Sequence, residues 1–227
     1  RKMAVFLFVL VLCFASTGWS YYFQGSTNLT ENPVDGVWSS TTLTWEVWNG
    51  TESGQNFWQY DYTFSTNAGD TANISNAIAQ VSDGFNSTDI INVYGDDNEW
   101  TDYELKSKDG TNEVWQQDGS GNPKMPGDMS GIKWENLNNP STFKFSLKTP
   151  KDPVWGNFYA KDGGGNGDNA VAAWNVGFTT NPVPQFDYTN SSTYGSFSYN
   201  STSDTYNLGV NDWALTADTT TNGGGGG

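Results

Sequence analysis

Thr42-Leu-Thr-Trp-Glu-Val-Trp48 runs into Asn49-Gly50, and a few residues later comes Trp58-Gln-Tyr-Asp-Tyr-Thr-Phe64. In the first stretch Leu43, Trp45 and Val47 share one phase, and Thr44, Glu46 and Trp48 the other. In the second, Trp58, Tyr60, Tyr62 and Phe64 stand opposite Gln59, Asp61 and Thr63. A period of two places apolar side chains on one face of a strand. Alternation that ends in Asn-Gly is a hairpin signal, because those residues accept the positive φ of a type I′ turn. The two segments are expected to pair around Asn49-Gly50.

The same pattern spreads outward. Thr142-Phe-Lys-Phe-Ser-Leu-Lys148 alternates cleanly, with Phe143, Phe145 and Leu147 on the apolar phase. Further strands are expected over Ile74–Ser82, Ile90–Tyr94, Trp100–Leu105, Glu113–Gln117, Gly131–Glu135, Val154–Ala160, Ala170–Phe178, Ser196–Tyr199 and Thr205–Val210; of these only Ser75–Val81 also fits a helix. Nowhere do apolar residues recur at three and four over a dozen positions, so no long amphipathic helix is expected. Many short strands separated by Asn, Asp, Gly, Ser and Pro predict an all-β protein, a single antiparallel β-sandwich of jelly-roll-like or Ig-like type.

The flanks differ from this body. Arg1 and Lys2 precede the apolar run Met3–Ala15, followed by Ser16, Thr17, Gly18, Trp19 and Ser20. A basic start, a short apolar run and small residues at its exit predict a secretory signal peptide over 1–20, cut after Ala15, Gly18 or Ser20. Thirteen apolar residues are too few for a bilayer span, which takes about 20. Residues 21–213 form the expected sandwich, and 214–227, ending in five glycines, a Thr/Gly-rich linker.

Composition removes whole classes of function. Lys and Arg total 10 against 25 Asp and Glu, His is absent, and the formal net charge is −15. Arg1, Lys2 and the single cysteine, Cys13, belong to the leader, so the remaining chain has no Arg, His or Cys. Ser/His/Asp and Cys/His relays need an imidazole or a thiolate and are excluded. Zinc, haem and iron–sulfur sites lose their ligands as well, which leaves carboxylate sites for hard cations. A surface this acidic repels nucleic acid. Without cysteine the fold must rest on packing and backbone pairing, for which the chain's 11 Trp, 11 Tyr and 13 Phe, apart from Phe6, Phe8, Phe14 and Trp19 of the leader, provide the surface.

Candidate sites are few. Asp96-Asp97-Asn98-Glu99 with Asp102 and Glu104 gathers carboxylates that suit a solvated turn better than calcium. Asp118-Gly-Ser-Gly-Asn122 begins like a calcium loop, but Pro123 and Met129 occupy positions where that loop needs Gly and Glu. Asp162 to Asn169 lacks a closing carboxylate, since Ala173 falls there. No cofactor and no metal site is expected. Glycoside hydrolysis needs a carboxylate pair in a cleft, and with 25 acids spacing alone does not single one out. Trp48, Trp100 and Trp115 fall on polar phases or in acidic surroundings, and are the candidates for stacking on sugar rings; the alternative is that they pack beneath loops in a satellite core. Six Asn-x-Ser/Thr sequences occur, at Asn28, Asn49, Asn73, Asn86, Asn190 and Asn200, and have meaning only in a glycosylating host.

One part of the chain resembles a known family. Asn122-Pro-Lys-Met-Pro-Gly127, Ser130-Gly-Ile-Lys133, Thr142-Phe-Lys-Phe-Ser146, Asp152-Pro-Val-Trp-Gly-Asn-Phe-Tyr-Ala-Lys-Asp-Gly163 and Ala173-Trp-Asn-Val-Gly-Phe178 occur in that order. The set resembles bacterial secreted proteins of the PEP-CTERM type. The resemblance implies export and sorting by an exosortase, through a Val-Pro-Glu-Pro motif, a membrane helix and a basic end. Residues 1–227 contain none of these three, so the expected sorting segment would lie past Gly227. It also implies residence at the cell surface or in the exopolysaccharide matrix of Gram-negative bacteria, and it supplies no catalytic residues.

The expectation is therefore a secreted surface or matrix protein without enzymatic activity, with polysaccharide and exosortase as its partners, no nucleic acid, and membrane contact only through the sorting segment. The first alternative is a carbohydrate-binding module. The second is a filament subunit that exchanges strands, with Tyr21–Asn32 as a free donor.

Overall fold

The computed structural model describes residues 21–32, 38, 40–66, 74–95, 102–108, 113–117, 121–135, 141–163, 170–179 and 183–218. Its centre is the expected hairpin. Strand β3 (Thr42–Glu52) pairs antiparallel with β4 (Gln55–Ser65) over eleven positions, from Thr42 opposite Ser65 to Glu52 opposite Gln55. The turn, however, is Ser53-Gly54, with φ of +52° and +80°, as a type I′ turn requires. Asn49 and Gly50 lie inside the ladder, opposite Trp58 and Phe57. The apolar pattern decides between the two registers. A turn at Asn49-Gly50 would set Leu43 against Asn56 and Val47 against Glu52. The observed turn sets Leu43 against Phe64, Trp45 against Tyr62 and Val47 against Tyr60.

The remaining described strands are β1 (Tyr22–Thr27), β2 (Leu29–Asn32), β5 (Ile74–Gln80), β6 (Asn92–Tyr94), β7 (Tyr103–Lys106), β8 (Gly131–Glu135), β9 (Thr142–Thr149), β10 (Pro153–Gly156), β11 (Phe158–Asp162), β12 (Ala172–Asn175), β13 (Ser198–Asn200), β14 (Thr205–Asn211) and β15 (Ala214–Ala217). Seven form one sheet in the order β13-β14-β1-β3-β4-β9-β6. Six form a second, β2-β12-β11-β5-β8-β7, and β10 pairs with β15 in a separate ribbon. The sheets pack as a sandwich. The pairing is antiparallel except that β1 runs parallel to β14.

Several expected boundaries shift for physical reasons. Tyr21–Asn32 is no free donor: β1 lies between β14 and β3, and β2 pairs with β12, so this segment is built into both sheets of its own chain. The stretch 154–160 is two strands, because Asn157 marks the passage from the ribbon to the second sheet. There the Asn157 N–H donates to Gln80 Oε1 (2.7 Å), Asn175 Nδ2 donates to Asn157 Oδ1 (3.1 Å) and to the Asp212 carbonyl (2.8 Å), and the Phe158 N–H donates to Asn175 Oδ1 (2.8 Å). Asn175 is fully buried, and these bonds satisfy its amide, as a buried polar group requires. Ile74–Gln80 is a strand, not a helix. After Asn175 the chain turns into a short 3₁₀ segment, and 113–117 makes only a bridge, Trp115 with Met129. Ala214–Ala217, expected as the start of the linker, is a buried strand.

Aromatic rings fill the space between the sheets. Phe145 of the first sheet stacks on Tyr62 (5.1 Å) and meets Trp134 (4.8 Å) and Phe158 (6.2 Å) of the second. Trp45 contacts Trp155 edge-on at 5.9 Å. Each such ring contributes roughly 4–6 kcal/mol of gross burial before entropy is charged. Trp38, fully buried, meets Phe64 at 5.4 Å and closes this core at one margin.

The second sheet is covered on its other side too. Trp115, Met125 and Met129 pack on Ile78, Tyr159 and Ala172, and Tyr159 Oη donates to the Pro123 carbonyl at 2.6 Å. The residues that carry the PEP-CTERM resemblance are spread through both cores: Met125 in this cover, Gly131–Lys133 in β8, Phe143 and Phe145 in β9, Trp155 and Phe158 between the sheets, and Trp174 and Phe178 packed against the cover. Their positions are those of packing residues.

Candidate binding face on the seven-stranded sheet

The polar phase of the central hairpin becomes the outer face of the seven-stranded sheet. Ladder partners align one rank of side chains across all seven strands: Ser198, Asn207, Gln24, Glu46, Asp61, Ser146 and Tyr94. All seven are exposed or half-exposed. At a strand spacing of about 4.8 Å the rank spans roughly 29 Å. The flanking ranks are Tyr22, Trp48, Gln59, Lys148 and Asn92 on one side, and Ser26, Thr44, Thr63 and Lys144 on the other.

Trp48 lies on this face as expected, half-buried. Its ring meets Phe57 edge-on at 5.4 Å, and its Nε1 donates to Asp61 Oδ2 at 3.2 Å. Gln59 Nε2 donates to the other carboxylate oxygen at 2.8 Å. Burial pushes the Asp61 carboxyl above its ordinary range and the facing Glu46 adds to the rise, while the hydrogen bonds from Gln59 and Trp48 oppose it. Tyr22 Oη donates to Glu46. That phenol is raised by burial, by this hydrogen bond and by the charges of Glu46 and Asp61. Glu46 and Asp61 are direct cross-strand partners, and a groove of about 610 Å³ opens over them, bounded by Gln24, Thr44, Thr63 and Lys144.

Trp115 is elsewhere and is no stacking platform. It is 5% exposed, its Nε1 donates to the Gly131 carbonyl at 2.9 Å, and the ammonium groups of Lys106 and Lys133 lie 4.6 and 4.8 Å from its ring centre. Its side chain fills the satellite core, and its indole N–H is already satisfied. Trp100 and the 96–99 carboxylates lie outside the described residues, as do 118–120 and 164–169. Glu104 pairs with Lys106 at 3.4 Å. Asp162 accepts from the Val171 N–H at 3.4 Å and so ties β11 to β12. Among the described residues no three His, Cys, Asp or Glu side chains are placed to hold a metal ion.

Alternation had already set Glu46, Gln59, Asp61 and Thr63 on the polar phase. That Glu46 faces Asp61, and that Gln24 and Asn207 extend the rank, depends on register and on β1, which alternation did not reveal. Fold and face together define an all-β sandwich protein with one covered sheet and one polar, grooved sheet. No protein family and no curated protein matches the chain.

Proposed function

We propose that this chain is a non-catalytic, exported protein of the bacterial cell surface or exopolysaccharide matrix, displayed there through PEP-CTERM-type sorting. The observation that supports this reading best is the polar outer face of the seven-stranded sheet, on a sandwich that uses no cysteine, in a chain whose formal net charge is −15. Such a surface is suited to a hydrated, sugar-rich environment, and the leader expected over 1–20 provides the route. Expression of the full gene in a Gram-negative host, followed by cell fractionation, tests it. The mature protein is expected at the surface or in the matrix fraction, and retention in the cytoplasm with the leader uncut would overturn the proposal. The downstream gene sequence is expected to encode Val-Pro-Glu-Pro, an apolar segment and a basic end.

A second reading, a carbohydrate-binding module, is favoured by Trp48. Its indole is fixed at Nε1 by Asp61 beside a groove lined with amides and hydroxyls, the combination by which pockets orient polar ligands.

A further inference from the structure

We infer that the groove on the outer face of the seven-stranded sheet binds a linear polysaccharide carrying free amino groups, laid across the strands along the rank from Ser198 to Tyr94. The inference rests on the carbohydrate-binding reading and deepens it by giving the direction and the charge class of the ligand.

Direction follows from register. The seven side chains of the rank form a line perpendicular to the strands, and the depression over Tyr22, Gln24 and Asn207, the groove over Glu46 and Asp61, and the depression over Asp61, Lys144 and Ser146 succeed one another along it. Side chains in the rank supply hydroxyls and amides, which donate to and accept from sugar hydroxyls, and carboxylates, which accept from them. Trp48, one rank away, offers an apolar ring whose tilt is held by Phe57 and Asp61.

Charge class follows from what the groove floor holds. Like charges directly opposite one another weaken a ladder, yet Glu46 faces Asp61. The ion pairs among the described residues, Lys106–Glu104, Lys133–Glu135, Lys148–Glu52 and Lys151–Asp89, involve neither of them. The donors that reach them, Tyr22 for Glu46 and Trp48 and Gln59 for Asp61, are all neutral, so at the floor of this groove a ligand is expected to supply the positive charge. A primary ammonium has three donors and one positive charge, enough to bridge the two carboxylates. A uronate or sulfated polymer would instead add repulsion here, with Lys144 as the groove's cation.

Isothermal titration of the purified full chain tests this with glucosamine hexamer, glucosamine dimer, N-acetylglucosamine hexamer, cellohexaose, galacturonate hexamer and hexalysine. Expected is binding of the glucosamine hexamer at least about tenfold tighter than of any other probe. Glu46→Gln, Asp61→Asn and Trp48→Ala should each weaken it about tenfold or more without lowering the melting temperature by more than a few degrees, whereas Glu104→Gln, on the far sheet, should leave it unchanged. If cellohexaose binds as tightly and Glu46→Gln has no effect, the amino-sugar inference is overturned and the carbohydrate-binding reading survives. If hexalysine binds as tightly, or Glu104→Gln weakens binding equally, general charge attraction replaces the inference. If no sugar binds, the inference and the carbohydrate-binding reading both fall.

Discussion

Tyr62 and Leu215 are joined across the interior: the Tyr62 phenol, from the middle of the seven-stranded sheet, donates to the Leu215 carbonyl at 2.7 Å, with both residues buried. Leu215 belongs to the β10–β15 ribbon, so this bond fastens the ribbon to the large sheet. Tyr62→Phe keeps the ring contacts with Phe145 and leaves a buried carbonyl without its donor. The expected loss is about 1–3 kcal/mol, measured by urea unfolding. An unchanged midpoint would mean that the carbonyl finds another partner.

Alkaline pH should unfold the protein through its tyrosines. Burial holds the Tyr60 and Tyr62 phenols well above the ordinary value of 10. A folded-state value raised above the unfolded one gives stability that is complete below pH 10 and is lost as pH rises beyond it. Absorbance at 295 nm should therefore show these two ionising together with the loss of near-ultraviolet dichroism. A smooth titration of all 11 tyrosines near pH 10 with the dichroism intact would contradict this.

Asp61 has the opposite sign from a salt-bridged carboxylate. Its folded-state value is raised, chiefly by burial, so protonation favours the folded state, and stability is lost as pH rises through that value. Asp61→Asn retains an acceptor for Trp48 and removes the repulsion from Glu46. It is expected to raise the melting temperature at pH 7 by about 2–4 °C, and this advantage should shrink as pH falls toward 4. A lower melting temperature at pH 7 would show that the charge stabilises the fold.

The Ser53-Gly54 turn offers a gain. Ser53 adopts φ +52°, a conformation that asparagine tolerates better. Ser53→Asn is expected to stabilise by a few tenths of a kcal/mol to about 1 kcal/mol, and Gly54→Val, at φ +80°, to destabilise by about 1–2 kcal/mol. Thermal melts of the two variants should move in opposite directions.

Gly156 has no room for a methyl group. A Cβ there would lie 2.2 Å from Thr216 Oγ1 across the ribbon. Gly156→Ala should cost about 1–3 kcal/mol, and adding Thr216→Ala should recover part of it, a non-additivity expected of touching residues. Strictly additive losses would place the strain elsewhere.

Most of the large sheet was legible because one of its faces is buried and the other is not. Thr42–Trp48, Trp58–Phe64 and Thr142–Lys148 alternate for that reason. β1 escaped because its inward positions are Phe23, Gly25 and Thr27. A Cβ at Gly25 would meet the Trp45 ring at 2.5 Å, and Thr27 Oγ1 accepts from Trp45 Nε1 at 3.1 Å. The space that alternation would assign to apolar side chains is taken by a tryptophan from the next strand. β15 escaped because all four of its residues are buried, so it shows no period of two. The hairpin turn was misplaced because Asn-Gly satisfies local turn chemistry, whereas the pairing of Leu43, Trp45 and Val47 with Phe64, Tyr62 and Tyr60 decides the register. Trp48 was placed by phase. Trp115 was not, because the segment that carries it lies over the second sheet and forms no strand of its own.

The insertion of β1 between β3 and β14 bears on the order of events in the life of the chain. Thr27 donates to the carbonyl of Trp213, 186 residues away, and the Asn28 N–H to that of Asn211. Until β14 is synthesised, β1 has only one of its two neighbours and the large sheet stays unsealed. Closing so long a loop is slow, so β1 is expected to remain an edge strand until β14 docks beside it. The seven-stranded sheet becomes mechanically continuous only when β1 and β14 meet.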